Sequence, residues 1–429
     1  MFGGGNTFKP KHGKKSFLPV PATFSNLQRK GNFVYMVVIV VVMWYLFNPL
    51  HYVSNLFTST QTPTFPSPHP FSSSHIIETS SRYIFPPIED TPLLKELTVH
   101  QLVKESKVRD SNFPEIEKNV IRPLNDFDDK DATIQKAKED EENALSGLAK
   151  AKNAFKNQDK VVFRPKKNQA YPDVVIVSAI DFVKHDQDTL TKIVQNRIDY
   201  GYAQKYGVYI RWSEEFLPKL NSLSYLNSKE KAKWVRLYCL RAAMFAFPEA
   251  KWFWYIDQDG LIMNLSINIM DYILSPDVLD PIMLREQAII PPDGTIKTYK
   301  NTRAKSVQLI VTQSEQKVET TSFLVKNDEI GKAIVEIWGD ELYLNYQNFP
   351  YGPDSALTHI LQWHPFILSK TTIVPARTIS AKYVKDLKEE NKKGDKYNYY
   401  EGDFVAHWAD CEGKDCPLVL KELYEKVVR

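Results

Sequence analysis

Between Tyr171 and Asp259, three runs of β-branched and aromatic residues alternate with two helical stretches. "YPDVVIVSAIDF", "VYIRW" and "WFWYI" read as strands. "TLTKIVQNRIDYGYAQKYG" and "KAKWVRLYCLRAAMFAFP" read as helices, the second stopping at Pro248. Strand, helix, strand, helix, strand predicts an α/β domain with a mostly parallel sheet and helices on its faces. In such sheets ligands bind beyond the carboxyl ends of the strands. Ser178 to Asp181 and Asp257 to Asp259 fall at two of these ends. No GxGxxG, Walker loop, GxSxG elbow or HExxH pair occurs, which argues against a dinucleotide enzyme, a P-loop NTPase, a serine hydrolase of that type and a zincin.

The third strand runs directly into "DQDG", Asp257 to Gly260. Carboxylates at the end of a buried strand need polar partners, a metal or solvent. Two such oxygen donors, one residue apart, suit Mg²⁺ or Mn²⁺ rather than zinc. An ion held this way keeps positions open for phosphate oxygens and offsets the charge of a departing diphosphate. That is the requirement of an enzyme using a nucleotide sugar. Taken alone, Asp-x-Asp is more often a solvated turn, so its context decides.

The context begins at the N-terminus. Lys9, Lys11, Lys14, Lys15, Arg29 and Lys30 precede residue 31, with no acid among them. "FVYMVVIVVVMWYLFNPL", Phe33 to Leu50, carries no charge, and the next charged residue is Glu78. This pattern predicts an uncleaved signal anchor over 33–50, a cytosolic tail over 1–32 and the bulk of the chain across the membrane. A cleaved signal peptide would need a small-x-small site that the sequence does not offer. Residues 51–170 have stem character: "TPTFPSPHPFSSS" is extended and solvated, and the charged, alanine-rich stretch 126–160 suits an exposed helix. The catalytic domain is expected over 171–429. The net charge of +3, concentrated in the tail, gives no footprint for nucleic acid.

Cys411 and Cys416 in "CEGKDC" could pair in an oxidising lumen or remain free thiols, while Cys239 lies in an apolar helical pattern and belongs to the core. "NLS" at Asn264–Ser266 is an N-glycosylation sequon so close to Asp259 that poor occupancy is expected.

In order along the chain, "VVIVSAIDF", "IVQNRIDYGYAQKYGVYIRW", "KWVRLYCLRAAMFAFPEAKWFWYIDQDGLIMN", "TTSFLVKND", "ILQWHP" and "FVAHWADCEGKDC" resemble glycosyltransferase family 34. That family includes plant xylosyltransferases and galactosyltransferases and yeast Golgi α-1,6-mannosyltransferases. The resemblance covers about residues 171 to 429 and is strongest to the fungal mannosyltransferase branch. It implies a GT-A fold and metal-dependent transfer with retention. On that branch it implies GDP-mannose as donor, Mn²⁺ (or Mg²⁺) as cofactor, and a mannan or N-glycan acceptor. It also implies a Golgi membrane location as a single-pass type II protein, in a hetero-oligomer with other mannosyltransferase subunits.

Carried over residue by residue, the resemblance puts Asp257 near the ribose and metal, Asp259 on the metal, and His407 of "FVAHW" as a third ligand. Asn196 and Arg197 match the Asn-Arg of the first helix, and Ser178 and Asp181 lie where the nucleotide is expected. Of Arg236 and Arg241, whose i,i+5 spacing separates their faces, one is expected to meet the diphosphate, with Arg236 favoured. The family's Asp-Gln-Ser-Ala reads "GPDSAL" here, so Asp354 replaces Gln and becomes the candidate carboxylate for stabilising an oxocarbenium-like sugar. Its Gly-Cys-basic motif reads Asp410-Cys411-Glu412, leaving Lys414 as the candidate phosphate contact. Two other functions remain open: a non-catalytic scaffold subunit, and a member with another donor such as UDP-galactose.

Overall fold

The structure is a computed structural model. It describes residues 32–47, 77–84, 104–109, 117–122, positions 133, 137 and 140, and residues 161–429 apart from 182–183, 186, 221–222, 224, 291–293, 410 and 412–414. The chain divides into two units, Met1–Phe65 and Pro66–Arg429. In the first, the uncharged sequence forms a helix over Asn32–Phe47, with Tyr35 through Trp44 exposed. Among the described residues no helix is long and apolar enough to cross a membrane. The last residues of the predicted anchor, 48–50, lie outside the described residues, as does nearly all of 126–160.

The second unit is built on a seven-stranded sheet. Its order is Thr371–Ile373, Leu309–Gln313, Val318–Lys326, Trp252–Ile256, Val174–Ile180, Gly207–Trp212, Tyr83–Ile84. The three predicted strands are the last three before the Tyr83–Ile84 edge, and both pairings among them are parallel. Trp252–Ile256 then pairs antiparallel with Val318–Lys326. All residues of Val174–Ile180 and Trp252–Ile256 are buried, as near-continuous apolar runs covered on both faces require.

The helix Gln187–Gln204 covers one face. Leu190, Ile193, Val194 and Ile198 form its apolar stripe and share a core with Ile176, Trp254 and Phe404. Trp254 stacks on Phe404 at 5.5 Å, with the Tyr200 ring edge-on at 5.8 Å. The helix Ser228–Ala246 packs on the same strands. It starts in a capping box, in which Asn227 Oδ1 accepts from Glu230 N and Glu230 Oε2 accepts from Asn227 N. Cys239 lies inside it, buried, and donates to Ser178 O at 3.6 Å.

The sheet also recruits residues that composition assigns to the stem. Tyr83–Ile84 forms its edge, and Ile77–Thr79 pairs in parallel with Val161–Phe163. Strands of two or three residues carry no period that a sequence pattern can reveal. Two further elements matter for the site. A three-stranded sheet of order Ala381–Lys382, Val405–His407, Gly260–Ile262 lies beside the acidic turn. Cys411 and Cys416 form a disulfide, Cα–Cα 5.5 Å, at the start of the helix Asp415–Glu425.

Candidate active site

The turn Asp257–Gly260 is held by the two strands and the first helix. Asp257 N donates to Thr321 O at 2.7 Å and Gly260 N to Asp257 O at 3.1 Å. Arg197 closes the arrangement from below. Its guanidinium donates to Asp257 O at 2.9 Å, Gly260 O at 2.6 Å and Asn196 Oδ1 at 2.8 Å. Asn196 in turn donates to Ile262 O at 2.8 Å and accepts from Ile262 N at 3.0 Å. Ser178 Oγ donates to Ile256 O at 2.7 Å. Ser178, Asn196 and Arg197 are all buried, and their polar atoms meet protein. They brace the turn through the protein's own backbone. Burial pushes the Arg197 guanidinium down to about 9, against the opposing pull of Asp257.

The two carboxylates are answered by cations. Arg236 Nη2 meets Asp257 Oδ2 at 3.1 Å. Lys184 Nζ pairs with Asp259 Oδ2, and His185 Nε2 lies 3.1 Å from Asp259 Oδ1. Burial alone would raise the Asp259 carboxyl. The His185 hydrogen bond and the Lys184 charge outweigh it and hold the group below its ordinary value. Lys184 moves the other way: burial lowers it, but Asp259 and Asp257 together raise it. The sequence pointed to neither Lys184 nor His185. Their signal was position, three and four residues beyond the Asp181 strand end, a place where ligand-facing side chains gather. Asp181 itself donates its backbone N–H to Gln258 Oε1 at 2.8 Å, tying the two strand ends together. Arg241 faces away and pairs with Glu336 at 2.5 Å, so only Arg236 of the two meets the acidic turn.

Arg236 also links the turn to Asp354. Gly352, with φ of +56°, starts the helix Pro353–Trp363 from a conformation that suits glycine. Asp354 sits in its first turn and is buried. Lys317 Nζ meets Asp354 Oδ2 at 2.6 Å, Arg236 Nη1 meets Oδ1 at 3.5 Å, and the Thr320 hydroxyl donates to Oδ1. Glu319 shares Lys317 at 3.3 Å. Burial raises the Glu319 carboxyl, Lys317 opposes this, and Asp354 adds to it. Both Asp354 oxygens thus hold protein donors. Lys317, just before the strand Val318–Lys326, and Glu319 and Thr320 at its start carry no motif that marks them in the sequence.

His407 reaches the same region by register. It lies opposite Gly260, one residue from Asp259, and is buried, with Nδ1 3.5 Å from Ala409 N. Two carboxylates and an imidazole form a donor set that suits a divalent ion such as Mn²⁺. In this structure Lys184 and His185 already meet the two Asp259 oxygens. Among the described residues, no three ligating side chains are gathered into a preformed cage, so an ion would displace Lys184 from Asp259. Lys414, the candidate phosphate contact, lies outside the described residues.

The strand ends of this α/β sheet thus gather Asp257 and Asp259 against Lys184, His185 and Arg236, a charged cluster that by itself leaves the class of protein broad. The sequence comparisons narrow it. The chain belongs to the galactosyl transferase GMA12/MNN10 family, that is, glycosyltransferase family 34, whose pattern matches residues 170–416. It is 34% identical over 88% of its length, and 88% of the relative's, to the Saccharomyces cerevisiae "Probable alpha-1,6-mannosyltransferase MNN11". An "Alpha-1,2-galactosyltransferase" of Schizosaccharomyces pombe is 31% identical over 52% of this chain and 57% of its own. The S. cerevisiae "Probable alpha-1,6-mannosyltransferase MNN10" is 26% identical over 54% and 59%. A solved glycosyltransferase involved in glycosylation of the PBCV-1 major capsid covers 58% of this chain and all of its own, at 17% identity and a TM-score of 0.38, too distant to argue from.

Proposed function

We propose that this hexosyltransferase moves mannose from GDP-mannose to α-mannan chains of N-glycans, in α-1,6 linkage and with retention, through a GT-A catalytic domain. The observation that carries this reading is the 34% identity to the MNN11 relative over 88% of both chains. The basic tail and uncharged run at 33–50 support a type II anchor in the Golgi membrane, with the catalytic unit in the lumen. Assembly with related mannosyltransferase subunits belongs to the same proposal.

The mechanism assigns roles to the residues in place. Asp257, Asp259 and His407 would hold the divalent ion, which supplies positive charge against the departing diphosphate. Arg236, fixed between Asp257 and Asp354, keeps a guanidinium at the same edge. With Asp259 engaged by such an ion, Lys184 would give up this pairing and add its positive charge at the same edge. Arg197, Asn196 and Ser178 hold the turn rigid, so the carboxylates need no reorganisation during reaction. Asp354 is the carboxylate available to stabilise positive charge on the sugar, with Lys317 as its gatekeeper. In front-side transfer the leaving phosphate accepts the acceptor hydroxyl's proton, and no protein base is required.

A second reading, a galactosyl donor, draws on the S. pombe galactosyltransferase relative. Purified full-length chain in detergent, offered a panel of nucleotide sugars and α-mannoside acceptors with and without Mn²⁺, tests both. Transfer from GDP-mannose that requires Mn²⁺ supports the proposal. Transfer from UDP-galactose alone replaces it, and no transfer from any donor leaves the scaffold subunit.

A further inference from the structure

The helix that carries Asp354 at its first turn exposes an aromatic face further along. Ser355, His359 and Trp363 recur at i,i+4 and so form one stripe, rising about 6 Å per step. Tyr351 begins the stripe at the active-site edge. Its ring lies under Lys317 Nζ at 5.4 Å, and its N–H donates to Ser355 Oγ at 3.0 Å. Farther out, the His359 ring meets Phe349 and Trp363, each at 6.0 Å, and Phe349 packs on Tyr346 at 4.6 Å. Trp363 is 70% exposed and Tyr346 52%. Rings held this openly beside a reaction centre call for a ligand.

We infer that this face, from Tyr351 to Trp363, is the platform on which the sugar chain of an oligosaccharide acceptor lies behind its reacting end. The inference rests on the glycosyltransferase reading above and adds to it where the acceptor is held. Three observations favour a neutral glycan. The stripe is continuous with the Asp354 and Lys317 cluster, so a chain lying on it delivers one end there. Asp354 is the only charged residue of the helix, and it is buried, so the helix adds no exposed charge to the platform beyond Lys317 at its inner end. Burial and the neighbouring His364 lower His359, which favours its uncharged ring. The apolar faces of pyranose rings stack on such rings, and the step along the stripe is close to the length of one sugar residue. The hydroxyls meet polar groups at the margins, such as the Tyr351 hydroxyl on Gln316 at 3.1 Å.

The test uses purified full-length protein with dimannose and with a long linear oligomannoside. In Trp363→Ala and His359→Ala, the KM for the long acceptor is expected to rise roughly tenfold, as the loss of one stacked ring implies. The KM for dimannose, the KM for donor and kcat should stay at wild-type values, and Trp363→Phe should restore tight binding. Quenching of tryptophan fluorescence by the long oligomannoside without donor, lost in Trp363→Ala, reads the platform independently of turnover. If the wild type transfers no mannose but shows this quenching, the platform stands and the proposed donor reaction falls. Unchanged length dependence and quenching in both variants would overturn the platform. Loss of a co-purifying protein subunit with length dependence intact would also overturn it, assigning the face to a protein partner.

Discussion

Removing Arg197 separates a clamp from a ligand contact. Its guanidinium makes three hydrogen bonds of 2.6 to 2.9 Å to Gly260 O, Asn196 Oδ1 and Asp257 O. Bonds from a charged donor contribute about 1.5–3 kcal/mol each. Burial of the cation offsets much of this, as its fall to about 9 indicates. Two acceptors keep other donors: Gly260 N on Asp257 O and Ile262 N on Asn196 Oδ1. Gly260 O loses its side-chain donor and a large buried volume empties. The net loss for Arg197→Ala is therefore ~2–4 kcal/mol, or about 5–15 °C in Tm for a domain of this size. Arg197→Lys should recover little, because an ammonium cannot reproduce the planar fork. Thermal unfolding of the full-length protein, followed by circular dichroism and paired with nucleotide-sugar binding by calorimetry, measures both effects. An Arg197→Ala protein that melts with the wild type but binds donor more weakly would refute the clamp and make Arg197 a ligand contact.

Four further outcomes are expected. Asp259→Asn keeps the size but removes the charge, and turnover should fall on the order of 10²-fold or more; His407→Ala should weaken Mn²⁺ affinity by about 10- to 100-fold without unfolding the protein, and unaltered Mn²⁺ binding in both would remove the metal from this turn. The raised Glu319 carboxyl favours the protonated form in the fold, so its contribution to stability is full below the ordinary value of about 4.3 and is lost as pH rises through the folded-state value; Glu319→Gln should therefore gain in Tm over wild type as pH increases, and a gain independent of pH would contradict the assignment. Protease added to sealed Golgi vesicles should spare the chain after residue 51, and digestion there would rule out the type II arrangement. The sequon at Asn264 follows Asp259 by five residues, so crowding beside the acidic turn should leave it poorly occupied; a glycosidase-sensitive mobility shift lost in Asn264→Gln would show otherwise.

The central strands, the two covering helices and the acidic turn were legible in the sequence because each follows from local chemistry. Val174–Ile180 is apolar but for Ser178, Trp252–Ile256 is apolar throughout, and Gln187–Gln204 repeats its apolar residues at helical spacing. Asp257 and Asp259 announce themselves by ending such a run. What surrounds those carboxylates depends on contacts remote in sequence, and no local pattern encodes them. Lys184 meets Asp259 across 75 residues, and Arg236 meets Asp354 across 118. Arg197 reads alike as a phosphate ligand or a buried clamp until its acceptors are known, since a guanidinium serves either use. Asp354 reads as a free carboxylate until Lys317 and Thr320 are seen on its oxygens. The sequence determined that two acids stand at a strand end; the tertiary structure decided which cations answer them, because charge balance in a buried site is settled by proximity in space.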